Sequence, residues 1–194
     1  MSRTLAVFIL AAIVLPASGV FLRPPCAQTV AQAPIPAGPH DAAHAGSPTS
    51  WCAAHASKNE LVQALSDCNY ALSLDPDNVQ ALSNRGSIYL LAKDAGAALA
   101  DFERAISLRS SEAVLHFNRG VAYDDLGQSD LAIADYSEAI KLSPDFAAAL
   151  HNRGYQYERK GQRDLAVADY EAALRVKPDL KQTLRRLESL RNSL

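Results

Sequence analysis

The 194-residue chain has few of the features that mark enzymes and nucleic-acid-binding proteins. Its formal net charge is only -2, with 19 Lys and Arg against 21 Asp and Glu, whereas a nucleic-acid-binding domain usually presents a basic face. The sequence shows no Ser-His-Asp set and no phosphate-binding loop. Runs of β-branched residues are scarce after the first 20 residues. We therefore expect few strands, no enzyme, no cofactor or metal site, no nucleic acid and no small-molecule substrate.

The one long apolar run lies near the N-terminus. Residues 5–15, LAVFILAAIVL, follow Arg3 and are succeeded by proline and small residues. This is the layout of a secretory signal peptide, so residues 1–33 are predicted to be a signal-peptide region of a periplasmic or secreted protein. Because residues 5–22 carry no charge and are just long enough to span a bilayer, an uncleaved membrane anchor is the alternative. The cleavage site is left open, and so is the retention of Cys26 in the mature chain.

Residues 34–47 are rich in Pro, Ala, Gly and Ser. A segment of this composition buries too little apolar surface to offset the entropy of the chain, so we expect a disordered linker. His40, Asp41 and His44 have types that can bind a metal. Ligands on an unstructured linker are a weak signal, however, and a solvated linker is the favoured interpretation.

A period of 34 residues organises the rest of the chain. The tripeptide Asn-Arg-Gly recurs at 84–86, 118–120 and 152–154, with a Tyr three residues after each Gly. When each Gly is numbered as position 8 of its unit, similar residues also recur at positions 11, 20, 24, 27 and 32. Their residues are Tyr89, Tyr123 and Tyr157; Ala98, Ala132 and Ala166; Phe102, Tyr136 and Tyr170; Ala105, Ala139 and Ala173; and Ser110, Pro144 and Pro178. The pattern resembles the tetratricopeptide repeat family, which implies an all-α solenoid of stacked antiparallel helix pairs.

The resemblance implies three full units, at 79–112, 113–146 and 147–178. Residues 48–78 are expected to form a degenerate N-terminal unit, because only their second helix fits the pattern. Residues 179–194 are expected to form a C-terminal cap helix, with leucines on one side and basic residues on the others. A helix lying on a membrane surface is the alternative for this basic segment.

Two charged columns share the period and suggest structural ion pairs. Position 7 is Arg in the three full units, and position 23 is Asp in all four. We favour pairing between neighbouring units, because charged hydrogen bonds across the boundary would fix the stagger of the units. This register pairs Asp67 with Arg85, Asp101 with Arg119 and Asp135 with Arg153, and leaves Asp169 to the cap helix, with Arg186 as the candidate. The alternative register, within units, would place Asp67 opposite Trp51.

Cys52 and Cys68 occupy positions 8 and 24 of the degenerate unit. In the family these positions face each other across a helix pair. A disulfide between them is expected in an exported protein, where it would hold together the unit with the weakest packing residues. Two buried thiols are the alternative.

Members of the family bind peptides or partner helices along a concave groove, which is lined by the first helix of each unit. The position of each residue in the repeat assigns twelve residues of this chain to the groove. They are Asn84, Ser87, Phe117, Asn118, Val121, Asp124, Asp125, His151, Asn152, Tyr155, Glu158 and Arg159. The three Asn form a column of amides that can donate to and accept from the backbone of any peptide, or they are simply consensus residues of the fold.

The charges of the groove bear on the kind of ligand. Family members that clamp a C-terminal carboxylate use Lys and Arg on this face, whereas Asp124, Asp125 and Glu158 lie here with Arg159 as the one base. Carboxylate clamping is therefore disfavoured, and a ligand of basic or mixed polar and apolar character is favoured. The resemblance thus implies an exported adaptor or scaffold that binds another protein. The alternatives are a structural protein that self-associates into a homo-oligomer and a membrane-anchored scaffold.

Overall fold

The computed structural model describes residues 46–192, and this part of the chain is made of nine α-helices joined by short turns. The signal-peptide region, the candidate anchor and all but the last two residues of the predicted linker lie outside it. No strand occurs among the described residues, and the predicted all-α solenoid is confirmed. The helices are α1 (Pro48–Ser57), α2 (Leu61–Leu74), α3 (Val79–Leu91), α4 (Ala95–Leu108), α5 (Ala113–Asp125), α6 (Ser129–Leu142), α7 (Ala147–Arg159), α8 (Arg163–Val176) and α9 (Lys181–Asn192).

The helices stack in chain order. Each odd-numbered helix from α1 to α7 packs against the helix that follows it, and each even-numbered helix then packs against the first helix of the next pair. In addition, α1 touches α3 and α3 touches α5, so the first helices of successive pairs adjoin along one face. Between residues 46 and 192, no helix is both long and apolar enough to cross a membrane.

The turn inside each helix pair requires one left-handed residue. The four residues at this position are Asn59, Lys93, Gly127 and Gly161, with φ between 61° and 73°. Glycine adopts this conformation without steric cost, whereas a residue with a Cβ is strained there. The turn of the α3–α4 pair, with Lys93, therefore stores strain that the turns of the next two pairs avoid.

The contact between the two helices of a full unit is formed by a glycine against an aromatic ring. A Cβ built on Gly120 in α5 would lie 2.7 Å from a ring carbon of Tyr136 in α6, so the helices approach as closely as glycine allows. The ring of Tyr136 is fully buried. The same arrangement recurs at 2.8 Å for Gly86 against Phe102 and at 3.0 Å for Gly154 against Tyr170.

The ion pairs form within units, so the predicted register between units is wrong. Arg119 donates from Nε and Nη2 to Asp135, at 2.7 Å for both bonds. The equivalent pairs are Arg85 with Asp101, at 2.8 and 2.6 Å, and Arg153 with Asp169, at 2.8 Å for both bonds. The physical reason is that positions 7 and 23 face each other across the antiparallel pair. Each of these hydrogen bonds raises the pKa of its arginine.

Two of these arginines also donate a hydrogen bond across the unit boundary, but to a residue other than the predicted Asp. Nη1 of Arg85 donates to Asn69 at 2.8 Å, and Nη1 of Arg153 donates to Ser137 at 3.0 Å. Both acceptors lie in the second helix of the preceding unit, 16 residues before the arginine. One side chain therefore joins both helices of its own unit to the unit before it.

The two terminal members of the Asp column also differ from the expectation. Asp67 does not pair with Arg85, which binds Asp101, but accepts from His55 Nδ1 at 2.5 Å, one helical turn after Trp51. Asp169 pairs with Arg153 of its own unit, so the expected contact of Asp169 with the cap helix is wrong.

Candidate partner-binding groove

All twelve predicted groove residues lie on α3, α5 and α7, the first helices of the three full units. Ten of them are half-buried, and Asp125 and Arg159 are exposed. Since α3 adjoins α5 and Asp124 of α5 accepts from Arg159 of α7, these side chains share one face, which we call the groove. The placement makes them available to a partner.

The Asn column retains unused hydrogen-bonding groups. Asn84 accepts from Gln80 at 2.9 Å through Oδ1, while its Nδ2 is buried and has no partner within residues 46–192. Asn118 is half-buried at the equivalent position of α5. Asn152 lies near the hydroxyl of Tyr136, which makes no well-formed hydrogen bond in the described part of the chain. A ligand that reached Asn84 Nδ2 would satisfy this buried donor, and the half-buried carboxamides of the column have the chemistry to bond to a peptide.

Aromatic side chains form the apolar floor in the middle of the groove. The ring of Phe117 packs against Phe146 with centroids 4.8 Å apart and against Tyr136 at 5.8 Å. Burial raises the pKa of the Tyr136 hydroxyl well above its ordinary value, and the nearby carboxylate of Asp124 adds to the rise. The phenol therefore stays neutral and offers a donor and an acceptor beside the apolar floor.

The acidic residues of the groove are already paired. Asp124 accepts from Arg159 at 2.8 Å, and the carboxylate of Asp125 lies 3.6 Å from Lys93. Glu158 accepts from Arg186 of α9 and from the hydroxyl of Tyr170 at 2.6 Å. Local cations thus neutralise the three carboxylates on which the expectation of a basic ligand rested. The mixed polar and apolar character remains.

The cap helix covers part of the last unit's groove. Arg186 lies over the ring of Tyr155, with its guanidinium carbon 4.2 Å from the ring centroid. Nδ1 of His151 makes a 2.8 Å hydrogen bond with the buried hydroxyl of Thr183. Burial lowers the pKa of His151, and the charge of Arg186 lowers it further. The sequence contained a signal for this contact, because Arg186 stands 34 residues after Asn152 and continues the Asn column into α9.

A cleft that sequence reasoning missed lies at the C-terminal end of the groove, between α7 and α9. It has a volume of about 480 Å³ and its lining includes His151, Asn152, Lys177, Leu180 and Lys181. Its two lysines lie outside the repeat positions that the family uses for its groove, so the repeat pattern gives no sign of them. We call it the α7–α9 cleft.

The two cysteines of the first unit lie together at the α1–α2 contact. Their Cα atoms are 5.1 Å apart, within the span of a disulfide, and both side chains are fully buried. They occupy the place that glycine and an aromatic ring take in the full units. The covalent bond itself stays a prediction.

The comparisons with known proteins agree with this architecture. Three models described as tetratricopeptide repeat match residues 54–113, 113–146 and 147–180. The chain therefore belongs to the tetratricopeptide repeat family, whose stacked helix pairs form protein-interaction scaffolds rather than a known class of enzyme. It is a protein-interaction module of that kind. A search of curated proteins found no significant match.

Solved structures share the fold at low sequence identity. A crystal structure of MamA is 22% identical with a TM-score of 0.67, over 72% of this chain and 81% of that chain. The first tetratricopeptide repeat domain of Spaghetti (RPAP3), bound to the HSP90 peptide SRMEEVD, is 22% identical with a TM-score of 0.57, over 58% of this chain and 92% of that chain. The second domain of human RPAP3, in complex with the HSP70 peptide SGPTIEEVD, is 25% identical with a TM-score of 0.54, over 57% and 92%.

Proposed function

We propose that this chain is an exported adaptor or scaffold that binds an extended segment of a partner protein along the groove of α3, α5 and α7. The observation that carries the proposal is the Asn column, whose three half-buried carboxamides lie on the groove face and include one buried donor without a partner among the described residues, Nδ2 of Asn84. An extended peptide has one backbone donor and one acceptor per residue, and such a column can satisfy them without reading the side chains. The second such domain of human RPAP3, which shares the fold, is in complex with the HSP70 peptide SGPTIEEVD, and this supports a peptide ligand for the present chain.

The direct test is selection of peptides from a random 12-residue display library on the purified full chain. The wild type is compared with the variant Asn84→Ala, Asn118→Ala, Asn152→Ala. The matched control is Ser73→Ala, Ser107→Ala, Lys141→Ala, which changes three exposed residues at one repeat position of the second helices. We expect selected peptides to bind the wild type and the control and to lose at least about tenfold in affinity on the Asn variant, since two or three hydrogen bonds are removed.

Both variants must first show a cooperative helical melt, so that loss of binding is not loss of fold. Selected peptides that bind all three proteins equally would remove the Asn column from the binding site. A selection that enriches no peptide would contradict binding of extended segments altogether.

One observation favours a second candidate function, self-association at the C-terminal end of the array. The outer side of α9 borders a hollow of about 430 Å³, lined by Leu174, Leu184 and Leu187 among other residues. Leu184 is 38% exposed there, and a further helix of the array would pack on this side. Light scattering of the full chain across concentrations tests this. A mass that rises with concentration in the wild type but stays at the monomer value in Leu184→Glu supports self-association. A constant monomer mass in the wild type contradicts it.

Export is part of the proposal and is supported by the N-terminal residues 1–33 and by the buried cysteine pair. An oxidising compartment would allow Cys52 and Cys68 to form a disulfide. Intact mass of the protein from the envelope fraction, measured before and after reduction, tests both points. We expect loss of the N-terminal segment and a gain of about two daltons per disulfide on reduction. A full-length mass indicates an uncleaved anchor, and an unchanged mass after reduction contradicts the bond.

A further inference from the structure

The α7–α9 cleft has a counterpart one unit earlier that this chain fills with its own side chains. The residues 34 positions before His151, Leu180 and Ala148 are Phe117, Phe146 and Val114. The rings of Phe117 and Phe146 meet there at 4.8 Å. All three larger apolar residues are replaced at the last unit by smaller or more polar ones, and about 480 Å³ remains open. The cleft is large enough to admit an aromatic side chain, and Ala147, Ala148 and Leu180 give part of its wall apolar character.

The rim of the cleft carries an excess of positive charge. Lys177 and Lys181 are both exposed and stand against a single carboxylate, Asp179, on the same rim. The pKa of His151 is lowered by burial and by Arg186, so its ring adds no charge near neutral pH. Its hydrogen bond with Thr183 holds the ring at the cleft wall. The opening therefore favours an apolar group attached to a carboxylate over one attached to an amine.

We propose that the α7–α9 cleft binds an aromatic side chain of an acidic partner peptide, with a neighbouring carboxylate of that peptide facing Lys177 and Lys181. The inference rests on the proposed function, because it places one residue of the bound segment at the C-terminal end of the groove. It adds a chemical requirement to a groove whose Asn column is indifferent to sequence. It also differs from the expectation that a basic or mixed ligand is favoured, because that expectation considered only the groove positions of the first helices.

The site can be tested with small probes that do not depend on finding the partner. Hydrocinnamate joins a phenyl ring to a carboxylate, and 3-phenylpropylamine joins the same ring to an amine. Both are titrated into the full chain and followed by ¹H–¹⁵N shifts of the amides of His151, Leu180 and Thr183. We expect saturable millimolar binding of hydrocinnamate and at least about fivefold weaker binding of the amine. Equal binding of the two probes would overturn the charge assignment.

Three variants test the site, and the lysine variant separates it from the groove, because His151 belongs to both. His151→Phe should abolish hydrocinnamate binding, because a Phe fills the equivalent space in the preceding unit. Lys177→Glu, Lys181→Glu should reverse the preference in favour of the amine, whereas Lys58→Glu, Lys141→Glu, at exposed lysines elsewhere, should leave it unchanged. Hydrocinnamate binding that survives His151→Phe contradicts the proposal.

Peptides from the display selection provide the second readout. The proposal expects them to share an aromatic residue next to Asp or Glu and to bind His151→Phe at least about tenfold more weakly. Peptides that need the Asn column but bind His151→Phe normally would overturn the cleft and leave the groove function intact. Probe binding without any selected peptide would instead contradict the groove function alone. If hydrocinnamate lowers the mass of a self-associated form in light scattering, the occupant is a second copy and the proposal is wrong.

Discussion

Replacement of Gly120 by Ala tests the helix contact on which the repeat is built. The added Cβ would lie 2.7 and 2.8 Å from two ring carbons of Tyr136 and 3.3 Å from Cβ of Asp135. Carbon atoms prefer separations of about 3.5–4.0 Å, so the ring or the helix must move by nearly an ångström. The ring of Tyr136 is fully buried and has no free space to enter. Overpacking of this kind costs about 1–3 kcal/mol.

The substitution also has a favourable component, since Ala is about 1 kcal/mol better than Gly inside a helix. With two short contacts to a fully buried ring, we place the steric cost in the upper part of its range. The net loss is then about 1–2 kcal/mol in the free energy of unfolding, or roughly 2–8 °C in Tm for a domain of this size.

Urea and thermal unfolding followed by circular dichroism measure this loss. Gly96→Ala is the control, because Gly96 is exposed in α4 and its Cβ would approach only Asp94 Oδ1, at 3.7 Å. We expect that variant to be unchanged or stabilised by up to about 1 kcal/mol. Gly154→Ala, with its shortest contact at 3.0 Å, should lose less than Gly120→Ala. A Gly120→Ala protein as stable as the wild type would refute the packing argument.

Three further predictions address the ion pairs, the turns and the cap helix. A double-mutant cycle of Arg119→Met with Asp135→Asn, measured by urea unfolding, should give a coupling energy of at least about 1.5 kcal/mol. The cycle of Arg119→Met with Asp101→Asn should give less than about 0.5 kcal/mol. A larger coupling energy with Asp101 than with Asp135 would restore the register between units. Lys93→Gly should raise the free energy of unfolding by up to about 1 kcal/mol, because the strain of the left-handed conformation is relieved. The exposed ion pair with Asp125 that is lost contributes little. A lower melting temperature of the variant would argue against strain in this turn. Because the folded-state pKa of His151 is lowered, the unfolded chain takes up the proton first as pH falls below about 6.5. The stability that neutral His151 contributes is therefore present above that pH and is lost as pH falls through the folded-state pKa. Between pH 7 and pH 5, His151→Gln should therefore lose less free energy of unfolding than the wild type. Equal losses in the two proteins would contradict the lowered pKa.

The period of 34 was enough to predict the helices, because each unit repeats the same small and large residues at the same phase. Val79, Ala113 and Ala147, the first residues of the predicted units, are also the first residues of α3, α5 and α7. The same period extends to Lys181, where α9 begins. These features depend on local sequence and on packing within one pair, and both are visible in the pattern.

The pairing of the charged columns could not be obtained from the same pattern. Position 23 precedes the next unit's Arg by 18 residues and follows its own unit's Arg by 16, so sequence distance does not separate the registers. The choice depends on which faces of two antiparallel helices meet. Pairs across units, such as Asp124 with Arg159 and Asp125 with Lys93, depend in addition on the rotation between units. For this reason the amount of unpaired negative charge in the groove was overestimated from the sequence.

The groove is tested most directly by hydrogen–deuterium exchange on the full chain, with and without a peptide from the display selection. The account predicts that the peptide slows exchange chiefly in α3, α5 and α7, with the effect lost in the Asn84→Ala, Asn118→Ala, Asn152→Ala variant. Protection confined to α2, α4, α6 and α8 would place the partner on the opposite face and contradict the groove as the binding site.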